Sequence, residues 1–184
     1  MSRPSVCILY GVCEGPRIAS RLIRALTTAG FGMTRNAAEA DIIIAHSGGC
    51  FALPQTHRAT MVLLVGLPCW PGKSTLKSTQ QKIWLDMRSS SHDPARWLLK
   101  TFWNSIYFWN MRNNYAMFRG QRRQAHRSIA HAVLVRNKDD VTCTPNHAHF
   151  RFKHSPPLVS LPGQHDDIWL HPKSYINLIR QYYG

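Results

Sequence analysis

Acidic residues are scarce in this chain: 9 Asp and Glu stand against 23 Lys and Arg in 184 residues, a formal charge of +14. Paired cysteines are missing too. Cys7, Cys13, Cys50, Cys69 and Cys143 are odd in number and form no CxxC. That argues against a disulfide framework or a zinc knuckle and for a reducing compartment. No run of about 18 uncharged apolar residues occurs, so no membrane-spanning helix is expected. The opening residues Met1-Ser2-Arg3-Pro4-Ser5 lead into a short apolar stretch that stops at Gly11, without a secretory apolar region or cleavage site. A cytoplasmic location is expected. The chain is not poor in apolar residues: 44% hydrophobic and 10% aromatic excludes disorder and suffices for a core. The length suits a single domain over residues 1–184.

A charge of +14 first suggests nucleic acid. Its location weakens that reading. Residues 94–138 hold nine basic residues and no acid, leaving only +5 for the remainder. The charge belongs to one segment. It could dock on RNA, anionic lipid or an acidic partner through Arg112, Arg119, Arg122, Arg123 and Arg127.

Short apolar runs punctuate the chain. Ser5–Tyr10, Ala40–Ala45, Met61–Val65, Ala132–Val135 and Leu158–Leu161 each read as a strand buried on both faces. After the first, Pro16 suits a first helical position, and Ile18, Leu22, Leu26 and Ala29 recur at helical spacing until Gly30 and Gly32. His46-Ser47-Gly48-Gly49-Cys50 reads as a tight turn into a short helix ending near Pro54. Pro172–Tyr183 closes the chain as a helix with Tyr175, Leu178 or Ile179, and Tyr182 in one stripe. Short apolar strands alternating with amphipathic helices predict an α/β fold: a mostly parallel sheet of five or six strands with helices on both faces. Residues 94–120 break the rhythm with a helix-compatible aromatic run. They read either as a core helix with a solvated basic face, or as a cap or interfacial segment in which Trp97, Phe102, Ile106 and Trp109 line a pocket.

In open parallel sheets, ligands and reacting groups gather at the carboxyl ends of the strands. Here those positions hold Gly11 and Val12, then Ser47, then Asp139 and Asp140, then His165. Acyl transfer needs these groups. A serine hydroxyl requires an adjacent base. Histidine can serve as base and then as acid, and a carboxylate fixes its tautomer and stabilises the imidazolium. Either aspartate could be that carboxylate, and His171 is the second candidate for the base.

These stretches resemble the α/β-hydrolase fold. Ala40–Cys50 is similar to its nucleophile elbow, GxSxG, with Ala45 replacing the first glycine and His46 directly before the serine. Val133–Pro145 resembles the acid strand and loop, and Leu161–His165 the histidine loop. In size the chain is closest to small hydrolases of the retinoblastoma-binding-protein-like type. The resemblance implies Ser47 as nucleophile, His165 as base and Asp140 as acid, since the acid there is the second of an Asp-Asp pair. It further implies the backbone N–H groups of Val12 and Gly48 as oxyanion donors, an ester, thioester or amide substrate, and neither metal nor organic cofactor. The rival is an inactive hydrolase-like fold that binds through its basic segment.

Other motifs carry less. Pro71-Gly72-Lys73-Ser74 lacks the leading glycine of a phosphate loop, since Leu67 stands there. His147, His149 and His154 show no standard metal spacing. Asp166 and Asp167 read as caps of the closing helix. Cys50, beside the elbow, reads as a small buried residue.

Overall fold

Chain segments of four to six apolar residues cannot be satisfied in water, and pairing them side by side satisfies backbone and side chains together. A computed structural model describes residues 3–11, 14–54, 56–66, 98, 102, 128–140 and 151–183. Its main element is a six-stranded, all-parallel sheet. The strands are β1 (Ser5–Leu9), β2 (Gly32–Met33), β3 (Ile42–His46), β4 (Met61–Val65), β6 (Ala132–Asn137) and β8 (Leu158–Leu161), in the order β2-β1-β3-β4-β6-β8. Two further strands, β5 (Ser128–Ile129) and β7 (Arg151–Phe152), pair with each other in a separate small sheet. The α/β class expected from the sequence is the class observed.

The central strands β3 and β4 are buried at every position, in register from Ile42 opposite Met61 to His46 opposite Val65. Alternate residues serve opposite faces. Val6, Ile8, Ile44, Leu63 and Val135 pack on one face against Leu22 and Leu26 of α1 (Ser20–Thr28). Ile168 and Trp169 of α2 (Asp167–Leu170) and Tyr175 and Ile179 of α3 (Pro172–Tyr183) complete that layer. Ile43, Ala45, Val62, Leu64 and Leu134 face the other way, toward Cys50, Phe51 and Ile129. The helices α1, α2 and α3 thus share one face. Among the described residues the second face carries the short 3-10 turn Ser47–Ala52 and Ile129.

Several boundaries differ from the sequence reading. Residues 16–19 form turns and α1 begins at Ser20, so Ile18 is left 49% exposed. Gly32, read as a helix stop, opens β2, because its N–H donates to the Pro4 carbonyl at 2.9 Å. His46 is the last residue of β3 rather than part of the turn. The final strand β8 is exposed at alternate positions, with Leu158 53% exposed, as suits the edge of a sheet. Among the described residues no helix is long and apolar enough to cross a membrane.

Candidate active site

All six strands run the same way, so their carboxyl ends meet along one edge. At the end of β3 the backbone turns sharply: Ser47 has φ of 51°, in the left-handed region. A side-chain-bearing residue held there costs about 1–3 kcal/mol, and such strain clusters at functional sites. The turn is close-packed against β1. A Cβ on Gly49 would run into the Leu9 carbonyl and stand 2.8 Å from the Tyr10 oxygen, so only glycine fits. Gly11 lies near enough that a Cβ added there would be 3.1 Å from Ser47 Cβ. Ser47 and Gly48 remain half-buried while Gly49 to Phe51 are buried.

The loops after β6 and β8 are tied to each other. Lys138 N–H donates to the Leu161 carbonyl at 2.9 Å and Asp139 N–H to the Gly163 carbonyl at 3.0 Å, extending the strand pairing beyond the sheet. Buried Asn137 donates from Nδ2 to the Gln164 carbonyl and accepts the Tyr175 hydroxyl at 2.8 Å. Burial is the main reason the Tyr175 phenol is pushed up to about 12, which keeps it a neutral donor. This clamp brings His165 to Asp140: Nδ1 lies 2.8 Å from Oδ2, with side chains 7% and 1% exposed. Asp139 instead accepts the Gly163 N–H at 3.1 Å. With the Nδ1 proton directed at the carboxylate, Nε2 carries the lone pair of the neutral ring. Gly66, just after β4, has φ of +56°, and a Cβ there would come within 2.9 Å of His165 Cε1. Among the described residues no hydrogen bond joins the Ser47 hydroxyl to His165; such contacts are often long before substrate binds.

A second buried pair adjoins the first. His46 Nδ1 lies 2.7 and 2.9 Å from the two oxygens of Glu14, and Nε2 donates to the His165 carbonyl at 2.9 Å. Glu14 also accepts the Gly11 N–H at 2.6 Å and the Trp169 indole N–H at 3.3 Å. The His46 and His165 rings are 4.6 Å apart, and Trp169 meets His46 edge-on at 4.9 Å. Burial is the largest influence on His46 and pulls its pKa down. The Glu14 hydrogen bond and charge, the His165 carbonyl and the Asp166 charge outweigh it, and the net direction is upward. Glu14, His46, His165 and Asp166 could offer ligand atoms within 4.8 Å of one another. Both His46 nitrogens are already engaged by protein acceptors, and a tetrahedral zinc needs ligands at about 2.0–2.2 Å. The donor set reads as a hydrogen-bond network.

Of the residues singled out from the sequence, Asp140 and His165 are in contact and Ser47 and Gly48 occupy the adjoining elbow. Val12, Trp97, Ile106, Trp109, Arg112, Arg119, Arg122, Arg123 and Arg127 lie outside the described residues, and Phe102 is exposed. His171 is exposed at the end of α2, with its N–H on the Asp167 carbonyl, and does not join the cluster. Asp166 is the N-cap of short α2, not of α3, and makes no side-chain cap bond. Sequence reasoning missed Glu14, Gly66 and Asn137, and it gave His46 no role. An acid in the loop after the first strand of an acid-poor chain is the available signal for Glu14.

No family model matches this chain, and no curated protein matches it. A solved structure does: an alpha/beta hydrolase enzyme from the metagenome of sediments from the lagoon of Mar Chica, Morocco. The similarity covers 98% of this chain and 90% of that one, with a TM-score of 0.51 and 13% identity. At that identity the likeness is one of fold, an α/β-hydrolase-like parallel sheet.

Proposed function

We propose that this chain is a single-domain serine hydrolase in which Ser47 is the nucleophile, His165 the general base and Asp140 the acid that orients it. The observation that carries the reading is the buried 2.8 Å contact between His165 and Asp140, at the same sheet edge as a serine held at φ of 51°. The fold likeness to a hydrolase enzyme supports it.

In this reading His165 Nε2 takes the Ser47 hydroxyl proton as Oγ attacks the carbonyl carbon of an ester, thioester or amide. The oxyanion would be met by the backbone N–H groups of Gly48 and Val12, each such donor contributing about 3–4 kcal/mol where measured. His165 then passes the proton to the leaving group as the C–O, C–S or C–N bond breaks, and Ser47 is left acylated. Water, deprotonated by His165, cleaves the acyl-enzyme and restores the serine. An apolar acyl group is inferred from the aromatic composition of the Trp97–Phe118 stretch.

A fluorophosphonate probe tests this directly. It should label the wild-type chain on Ser47, and Ser47→Ala should remove the label. Labelling that persists in Ser47→Ala, or its absence in the folded wild type, rejects the assignment.

A further inference from the structure

The reaction as written leaves Glu14 and His46 without a task, although both are buried beside it. Each ring nitrogen of His46 faces an acceptor: Nδ1 faces the Glu14 carboxylate and Nε2 the His165 carbonyl. A neutral imidazole has one N–H and could serve only one of them. The arrangement therefore calls for a proton at both nitrogens, with Glu14 as counter-charge. Glu14 in turn holds Gly11 N–H at 2.6 Å and Trp169 Nε1–H at 3.3 Å, so one carboxylate reaches the loop after β1, the end of β3 and helix α2. The Gly11 amide is thereby committed to Glu14 and is not free to meet an oxyanion.

Resting on the Ser47–His165–Asp140 reading, we propose that the Glu14–His46 pair positions the site by tying the loop after β1 and the elbow to the backbone of His165. His46 adjoins Ser47 in the chain, and its ring hydrogen-bonds the residue that would deprotonate Ser47. Nucleophile and base are thus linked through one peptide bond and one side chain. Asp140 fixes the His165 ring at Nδ1; His46 fixes its main chain. Neither Glu14 nor His46 acts on the substrate.

This link depends on pH. The groups facing His46 are Glu14 from the loop after β1, and His165 and Asp166 from the loop after β8, with Asp140 behind His165. With the His46 pKa raised, the link is fully present below the ordinary histidine range and is lost as pH rises through the raised value. The expected signature is an alkaline loss of kcat with KM little changed.

The test uses the full chain, p-nitrophenyl butyrate as substrate, and the downfield ring N–H resonances of His46 and His165. Glu14→Gln should lower kcat by about 10- to 100-fold, as small misplacements of reacting groups do, and move the alkaline limb to lower pH. His46→Gln keeps a donor for the His165 carbonyl without a titrating ring. It should retain part of the activity and lose that limb. Lower thermal stability with an unaltered kcat and pH profile in both variants would overturn the proposal. Should either variant fail to fold, wild type decides: loss of the His46 Nδ1–H signal should shift the His165 Nδ1–H signal in step, and independent titration overturns the link. The same spectra in Ser47→Ala test the pair without turnover, so a chain that proves not to use Ser47 is distinguished from one without the link.

Discussion

His165 Nδ1 lies 2.8 Å from Asp140 Oδ2, whereas the neighbouring carboxylate of Asp139 turns to the Gly163 N–H at 3.1 Å. Two adjacent acids thus do different work. On the proposed reading, with His165 as base, Asp140→Asn is expected to cut kcat by about 10⁴-fold, because an amide favours the wrong imidazole tautomer. Asp139→Asn should leave kcat within a few fold and cost about 1 kcal/mol of stability through the loop it holds. Steady-state kinetics and thermal melts of the two variants, side by side, check the division. Equal losses of activity would contradict it.

Gly66 is fixed by two independent demands, a φ of +56° and a His165 ring that would lie 2.9 Å from any added Cβ. Gly66→Ala should therefore destabilise the fold by about 1–3 kcal/mol and displace the His165 ring as well. The measurable outcome is a lower melting temperature together with a fall in kcat. A variant that melts lower yet turns over at the wild-type rate would mean that the ring yields without consequence.

Cys50 follows the elbow closely but is an unpromising nucleophile. It is 1% exposed, and burial pushes its thiol well above the ordinary range, so little thiolate forms near neutrality. Its Sγ faces the Ala45 carbonyl at 3.4 Å. Native protein treated with iodoacetamide should remain unmodified at Cys50, and the same thiol should alkylate readily in denaturant. Peptide mass spectrometry reads both. Fast native alkylation would show that the turn opens.

How much of this was legible beforehand follows from the range of the interactions. Strands β1, β3, β4 and β6 announce themselves through the continuous apolar runs Val6–Leu9, Ile42–Ala45, Met61–Val65 and Ala132–Val135, because burial on both faces leaves little room for polar side chains there. The two-residue β2 has no such run; it exists because its backbone pairs with Ser5 and Val6, which no local pattern encodes. Ser47, Asp140 and His165 could be placed at one edge because strand ends predict where loops meet. The distinction between Asp139 and Asp140 is a matter of which carboxylate faces His165, set by the register of β6 against β8. Glu14, His46 and Trp169 are far apart in sequence, and their convergence depends on the packing of α2 against the sheet. Ile18 has helical spacing in the sequence but lies in the turns that precede α1, which no local pattern reveals.

The opposite edge of the sheet provides a control that separates stability from catalysis. Asp41, just before β3, accepts the Ser5 N–H and the Ser5 hydroxyl, each at 2.7 Å, and Arg58 lies 3.3 Å away. The backbone hydrogen bond from Ser5 is the main cause that lowers the Asp41 pKa, followed by the Ser5 hydroxyl; burial opposes and Arg58 assists. A depressed folded pKa means that this contribution is present above the ordinary carboxylate range and lost as pH falls through the folded value. Asp41→Asn should cost about 1 kcal/mol at neutral pH, since the site is partly solvent-screened, and the difference from wild type should shrink on acidification. Because Asp41 joins β1 to β3 at their amino ends, kcat for any ester the protein hydrolyses should stay unchanged. Melting temperatures from neutral to acidic pH, measured with kcat, decide the point: a gap that widens in acid would reverse the sign argued here.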